Sequence, residues 1–116
     1  MKKYYRIVDI DEDNNFKSLF HSVMNGRRNM PKDQWIKAVR RIGWEGAHGP
    51  KYRTGFHVLP TLEECHAYSK KFKIKSHRRI ISLHCKNLRK KKHSPSSVML
   101  ADEIFIPSNC EIHELV

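Results

Sequence analysis

The chain has 116 residues, 23 Lys and Arg against 12 Asp and Glu, a formal charge of +11, and 39% apolar against 30% charged residues. That length holds one hydrophobic core and excludes an elaborate second lobe. No apolar run approaches the ~18 residues that cross a bilayer, no leader is visible, and three cysteines without a CxxC pair exclude a disulfide framework, so the sequence predicts a cytoplasmic protein with no membrane contact. A positive excess of this size draws anions by steering and counterion release, which makes nucleic acid or another polyanion the expected partner.

Residues 4–10 alternate as a strand, with Tyr4, Arg6, Val8 and Ile10 on one side and Tyr5, Ile7 and Asp9 on the other. Arg6 thus stands mid-strand among apolar neighbours, where an arginine either snorkels at an edge or clamps an anion. The run IDEDNN supplies turn formers and an N-cap, and Phe16, Leu19, Phe20, Val23 and Met24 follow at helical spacing up to Gly26, predicting an amphipathic helix. After Pro31, the residues Trp35, Ala38, Val39 and Ile42 predict a second helix with Lys37, Arg40 and Arg41 outside. Gly43, Gly46, Gly49 and Pro50 make a flexible segment around Trp44, which reads as a core plug.

Residues 52–72 contain the clearest corner in the chain. Phe56 and Val58 oppose His57 and Leu59 on a short strand that Pro60 ends. Thr61 with Glu64 is a capping box, and Leu62, Cys65, Tyr68 and Phe72 form the apolar stripe of a third helix lying on the sheet. Lys70, Lys71, Lys73, Lys75, His77, Arg78 and Arg79 then lead into a strand at 80–85, where Ile81, Leu83 and Cys85 oppose Ile80, Ser82 and His84. The run KNLRKKKHSPSS at 86–97, with Arg89, Lys90, Lys91 and Lys92, reads as an exposed mobile loop. A strand interrupted by Asp102 and Glu103 and a last strand after Pro107 complete the chain, which shows no internal repeat. The expected fold is a single α+β domain, a mixed or antiparallel sheet with about three helices.

Cys65 with His66, His84 with Cys85, and Cys110 with His113 offer zinc-type ligands, but without paired spacing they read as ordinary core thiols and structural histidines, and no metal site is expected. No GxGxxG, P-loop, zinc-finger or helix-turn-helix signature is present.

Three separated pieces, YYR at 4–6, GFHVLPTLEECHAYS at 55–69 and ADEIFIPSNCEI at 101–112, resemble in their order the ADP-ribosyltransferase fold, and together they cover under half of the chain. The resemblance implies NAD as cofactor, Arg6 on its phosphates, Glu103 as the carboxylate that stabilises a developing oxocarbenium ion, and Tyr68 or Phe56 flanking nicotinamide. The chain departs from the family pattern where Gly55, Phe56 and His57 replace its Ser-Thr-Ser strand, leaving His57 as the polar group there, and where Ala101 stands two residues before Glu103. The chain also looks like small uncharacterised proteins of phages and mobile elements, for which the compartment would be the host cytoplasm.

Two main readings follow. The favoured one is a small binding protein whose segments carrying Lys70, Lys71, Lys73, Lys75, Arg78 and Arg79, and Arg89, Lys90, Lys91 and Lys92, grip nucleic acid or a nucleic-acid-containing complex. The alternative is an NAD-consuming mono-ADP-ribosyltransferase or glycohydrolase that uses Arg6, His57 and Glu103; a protein–protein inhibitor is the third.

Overall fold

The computed structural model describes residues 2–18, 29–38, 42–44, 51–53, 55–71, 77–90 and 97–115, with 42–44 and 51–53 described by their backbone alone. Strand β7, Arg78–Lys90, is the spine of the sheet. Ile80, Ile81 and Leu83 are β-branched or branched residues with no exposed surface, so this stretch is covered on both faces. Each such side chain contributes about 1.5–3 kcal/mol on burial.

Strand β1, Tyr4–Ile10, runs antiparallel to the first half of β7, from Tyr4 opposite Leu83 to Asp9 opposite Arg78. Strand β8, Met99–Phe105, pairs with the second half, from Lys90 opposite Met99 to His84 opposite Phe105. Strand β9, Ile112–Glu114, continues along the β8 side with Ile112 opposite Ile81, after the chain has looped out four residues relative to the β8 register. Pro107 cannot donate to a ladder and starts that loop. Asp33 ties it down: its Oδ1 accepts from Ser108 N at 2.8 Å, its Oδ2 accepts from the Ser108 hydroxyl, and its own amide donates to Ile106 O at 2.8 Å.

The other edge of β8 is shared. Strand β6, Phe56–Val58, takes residues 99–101, and strand β3, Trp35–Lys37, takes residues 103–105. Leu59 and Tyr5 exchange two backbone hydrogen bonds of 2.8 and 2.9 Å, which returns β6 to β1 and curls the sheet into a half-barrel. Strand β2, Phe16–Lys17, lies on the outer edge of β1, and β4, Ile42–Trp44, pairs with β5, Lys51–Arg53, as a separate ribbon.

The hollow of the curl is filled by Val8, Phe16, Ile36, Phe56, Ile81 and Ile104 among others. A second layer forms on the outside, where helix α1, Leu62–Ser69, places Cys65, Leu62 and Tyr68 against Ile7, Ile80 and Val98. Thr61 caps this helix as the capping box predicts, its hydroxyl accepting from Glu64 N at 3.1 Å.

The expected α+β domain with about three helices is therefore corrected to a mostly β fold with one short helix among the described residues, and the ADP-ribosyltransferase-like architecture falls with it. The predicted helix starting at Phe16 begins instead as β2, while residues 19–28 lie outside the described residues. The cause is local: Asp11 Oδ1 accepts from the amides of Asp13 and Asn15, both at 2.9 Å, and Asn14 adopts a φ of 62°, so the IDEDNN run is a tight turn that sends Phe16 back along Ile10. Where a second helix is predicted, Trp35–Lys37 and Ile42–Trp44 are strands; Ile36 points inward between half-exposed Trp35 and exposed Lys37, a period of two hidden within a segment too short to declare its period.

The predicted mobile loop at 86–97 is also corrected in its first part, because residues 86–90 continue β7, and residues 91–96 lie outside the described residues. Likewise β8 runs through Asp102 and Glu103 without a break. The ladder keeps one register on both sides of Asn87 and Asp102. Cys85 and Leu88 on β7, and Ala101 and Ile104 on β8, are each three residues apart yet all face the interior, and Asn87 has φ 57°. Lys86 and Asn87 are exposed and Glu103 is half-exposed, whereas Asp102 is buried against Arg89.

No helix among the described residues is long and apolar enough to cross a membrane.

Candidate nucleic-acid interface

The three-strand register builds one outward-facing surface. Across β3, β8 and β7, Trp35 lies opposite Phe105, which lies opposite His84; two residues along, Lys37 lies opposite Glu103, which lies opposite Lys86. Because Ile36, Ile104 and Cys85 between these rows point inward, both rows share the outer face. The result is an aromatic row beside a charged one.

The Trp35 and Phe105 rings are 5.5 Å apart and inclined at 50°, and the Lys86 ammonium stands 4.0 Å from the Trp35 ring centre. That cation–π contact covers one face of the indole, and both rings remain partly solvated. His84 Nδ1 lies 3.3 Å from Lys2 O, so the N-terminal segment runs beside this row, with the Lys2 ammonium 5.1 Å from the Tyr4 ring centre. A cleft of about 310 Å³, lined by Lys37, Ala38, Asp102 and Glu103, adjoins the charged row. Chemically, the surface offers aromatic faces, two lysines suited to phosphates, and a carboxylate acceptor between them.

The residues expected to form a nucleotide-cleaving site are dispersed. Arg6 faces the interior of the curl, its guanidinium 5.4 Å from the Phe56 ring centre and its Nη1 donating to His57 O at 2.9 Å, a brace from β1 to β6. The His57 side chain alternates to the other face of β6, opposite Leu100. Glu103 is on the outer face of β8, so the sheet separates it from Arg6. Phe56 packs inside the curl and Tyr68 in the helix layer, where the Lys71 ammonium lies 5.2 Å from its ring centre, so no common pocket has these two rings as walls.

The basic residues divide by type. Arg78 Nε is 3.3 Å from Asp9 Oδ1, with Asp9 only 2% exposed; Arg79 Nη1 donates to Arg78 O at 2.7 Å; Arg89 Nη1 donates to Asp102 Oδ1 at 2.6 Å. All three are committed to the protein's own acceptors. Lys70, Lys71 and Lys90 are exposed, whereas Lys73, Lys75, Lys91 and Lys92 lie outside the described residues. Gly55 belongs to the Arg89 arrangement, since a Cβ there would stand 2.9 Å from Ala101 O and 3.1 Å from Arg89 Nη2.

The cysteines are distributed as core residues. Burial pushes the Cys65 and Cys85 thiols up to about 12, against a weaker downward pull from the Arg6 charge, and burial raises Cys110 as well. Among the described residues no three His, Cys, Asp or Glu side chains gather into a metal-binding group.

The aromatic row is the feature that reading the sequence missed. Its signal was present as two short alternations, Trp35-Ile36-Lys37 and Glu103-Ile104-Phe105, each with the apolar residue between two outward ones. No family model, curated protein or solved structure matches this chain.

Proposed function

We propose that this chain is a small basic protein that binds nucleic acid or a nucleic-acid-containing complex. The observation that carries the reading is how the charges are sorted. Asp9 and Asp102 are buried against arginines, while Asp11, Asp33 and Glu111 are engaged in a turn, a loop clamp and a bond to Lys3. Lys32, Lys37, Lys70, Lys71, Lys86 and Lys90, by contrast, are all exposed. Glu12, Asp13, Glu63 and Glu114 are exposed as well, but with a formal excess of +11 the surface meets a phosphate backbone with more positive charges than negative ones.

The test is fluorescence anisotropy of a labelled oligonucleotide against salt. Contacts to about five phosphates weaken binding roughly 100-fold or more between about 50 and 200 mM salt. Absent binding, or binding indifferent to salt, would remove the reading.

A further inference from the structure

We infer that the outer face of β3, β8 and β7 takes single-stranded nucleic acid, with bases stacked on Trp35 and Phe105 and the backbone held by Lys37 and Lys86. This inference rests on the nucleic-acid reading above and narrows it to one surface and one strand state.

Charge sorting alone does not discriminate a duplex from a single strand, because phosphates are common to both. The aromatic row does. A duplex keeps its base faces stacked inside, so partly solvated rings on a sheet contribute little to it, whereas every unstacked base has a face to lay on them. Trp35 and Phe105 are inclined at 50° rather than parallel, which offers two separate faces instead of one closed stack. Lys86 stands over one face of the indole at 4.0 Å, and its flexible stem lets it leave that face for a phosphate as a base takes its place.

Glu103 sharpens the assignment. It sits in register between Lys37 and Lys86, where a carboxylate opposes a phosphate on the same spot. The same group accepts hydrogen bonds from exocyclic amines of cytosine, adenine or guanine. A strand laid with its bases over the aromatic row uses Trp35 and Phe105, with a phosphate reaching each lysine from the side away from Glu103 and a base edge, not a phosphate, meeting the carboxylate between them.

The experiment compares a labelled mixed-sequence single strand with the duplex of the same sequence, on wild-type protein and on Trp35→Ala and Phe105→Ala, with thermal melting as the check of folding. Loss of one stacked base weakens single-strand binding between about 5- and 150-fold. The expected result is a loss in that range for each variant, with duplex binding changed by less than about twofold and the salt slope of both kept, since no phosphate contact is removed. Equal losses on both substrates, or no loss on either while salt-dependent binding persists, overturn the platform and leave the broader nucleic-acid reading standing. A wild-type protein that binds neither substrate removes both.

Photocrosslinking covers the case in which a variant does not fold. Wild-type protein with an oligonucleotide carrying scattered 5-iodouracil is irradiated, digested and mapped by mass spectrometry. Adducts on peptides containing Trp35 or Phe105 support the inference. Adducts confined to the lysine-rich segments around Lys70 and Lys90, or a protein that crosslinks nowhere and binds duplex as tightly as single strands, overturn it.

Discussion

Arg89 is predicted from the sequence to hold nucleic acid, yet in the fold it neutralises Asp102, and replacing it by Gln separates these roles. The two side chains meet at 2.6 Å with exposures of 27% for Arg89 and 9% for Asp102. Removing one partner of a fully buried pair costs about 3–5 kcal/mol, because the other charge stays desolvated and uncompensated. Arg89 is about a quarter solvated, which softens the loss, so Arg89→Gln is expected to cost about 2–3 kcal/mol. At roughly 3–6 °C per kcal/mol for a domain of this size, the melting temperature falls by about 6–18 °C. Asp102→Leu combined with Arg89→Leu removes both charges and recovers most of the loss, since a well-packed apolar pair is often neutral against the ion pair it replaces. Lys90→Gln is the control: exposed and one residue away, it leaves melting unchanged but lowers the salt slope of binding by about 0.7–0.9. Calorimetry and a salt titration of all four proteins decide the matter. If Arg89→Gln melts within about 1 °C of wild type and lowers the salt slope as Lys90→Gln does, the pair is incidental and Arg89 belongs to the interface after all.

Gly55→Ala places a methyl 2.9 Å from Ala101 O, a backbone atom that cannot swing aside, so the β6–β8 contact must open; a loss of about 1–3 kcal/mol in a denaturant melt is expected, and a change below about 0.5 kcal/mol would contradict the packing. Hydrogen bonds hold the carboxyls of Asp11, Asp33 and Glu111 below their ordinary values of 3.8, 3.8 and 4.5, their leading donors being Asn15 N, the Ser108 hydroxyl and Lys3. Carboxyls lowered in the folded state stabilise it fully above those ordinary values and lose that contribution as pH falls through the lowered ones, so melting temperature should be level down to about pH 5 and drop below about pH 4; a rise on acidification would refute the assignment. The buried Cys65 thiol and the half-buried Cys85 thiol, both pushed up to about 12, should label slowly with a thiol reagent at neutral pH, Cys65 slowest, and all three cysteines should react in denaturant. Fast labelling of native Cys65 would be inconsistent with its place on the inner face of α1. Glu103→Gln removes one negative charge from the outer face without touching the interior, and should tighten salt-dependent oligonucleotide binding about two- to threefold with melting unchanged; weaker binding to a strand made only of thymidine, which carries no exocyclic amine, would refute that electrostatic role.

What could be read from the chain was whatever its side chains declare within a few residues. The two faces of β1 are as the alternation of Tyr4, Arg6, Val8 and Ile10 against Tyr5, Ile7 and Asp9 predicts, and so are the facing of Ile81, Leu83 and Cys85 and the cap at Thr61. What was not legible depended on partners far away. Trp35 to Ile42 shows apolar residues at helical intervals, and the period-two alternative wins at Trp35–Lys37 because β8 offers a free edge opposite Phe105 to Glu103. Residues 86–90 read as a loop because their lysines and Asn87 suggest solvent, yet β8 pairs with Lys86, Leu88, Arg89 and Lys90 in one register, and Asn87, at φ 57°, is exposed beside Lys86 without shifting it. The surface built by Trp35, Phe105 and Lys86 exists only once that three-strand register is set.

The same sorting bears on what kind of binding to expect. Every arginine whose side chain is described, Arg6, Arg78, Arg79 and Arg89, is engaged with the protein's own acceptors. Arginine's planar fork suits two-point recognition of carboxylates and base edges, whereas lysine is a hydrated point charge on a flexible stem. A surface whose described cations are lysines therefore attracts phosphates without reading bases. On such a surface any preference among strands must come from the few groups that touch bases directly. On the proposed face those groups are Trp35 and Phe105, which accept any base, and Glu103, which accepts only a base that can donate. Sequence preference should accordingly be slight, a bias toward amino-bearing bases lost in Glu103→Ala, which leaves no acceptor there, and affinity should follow ionic strength far more closely than sequence. Strong selection for one sequence, retained in that variant, would mean that base-reading groups lie elsewhere on the chain.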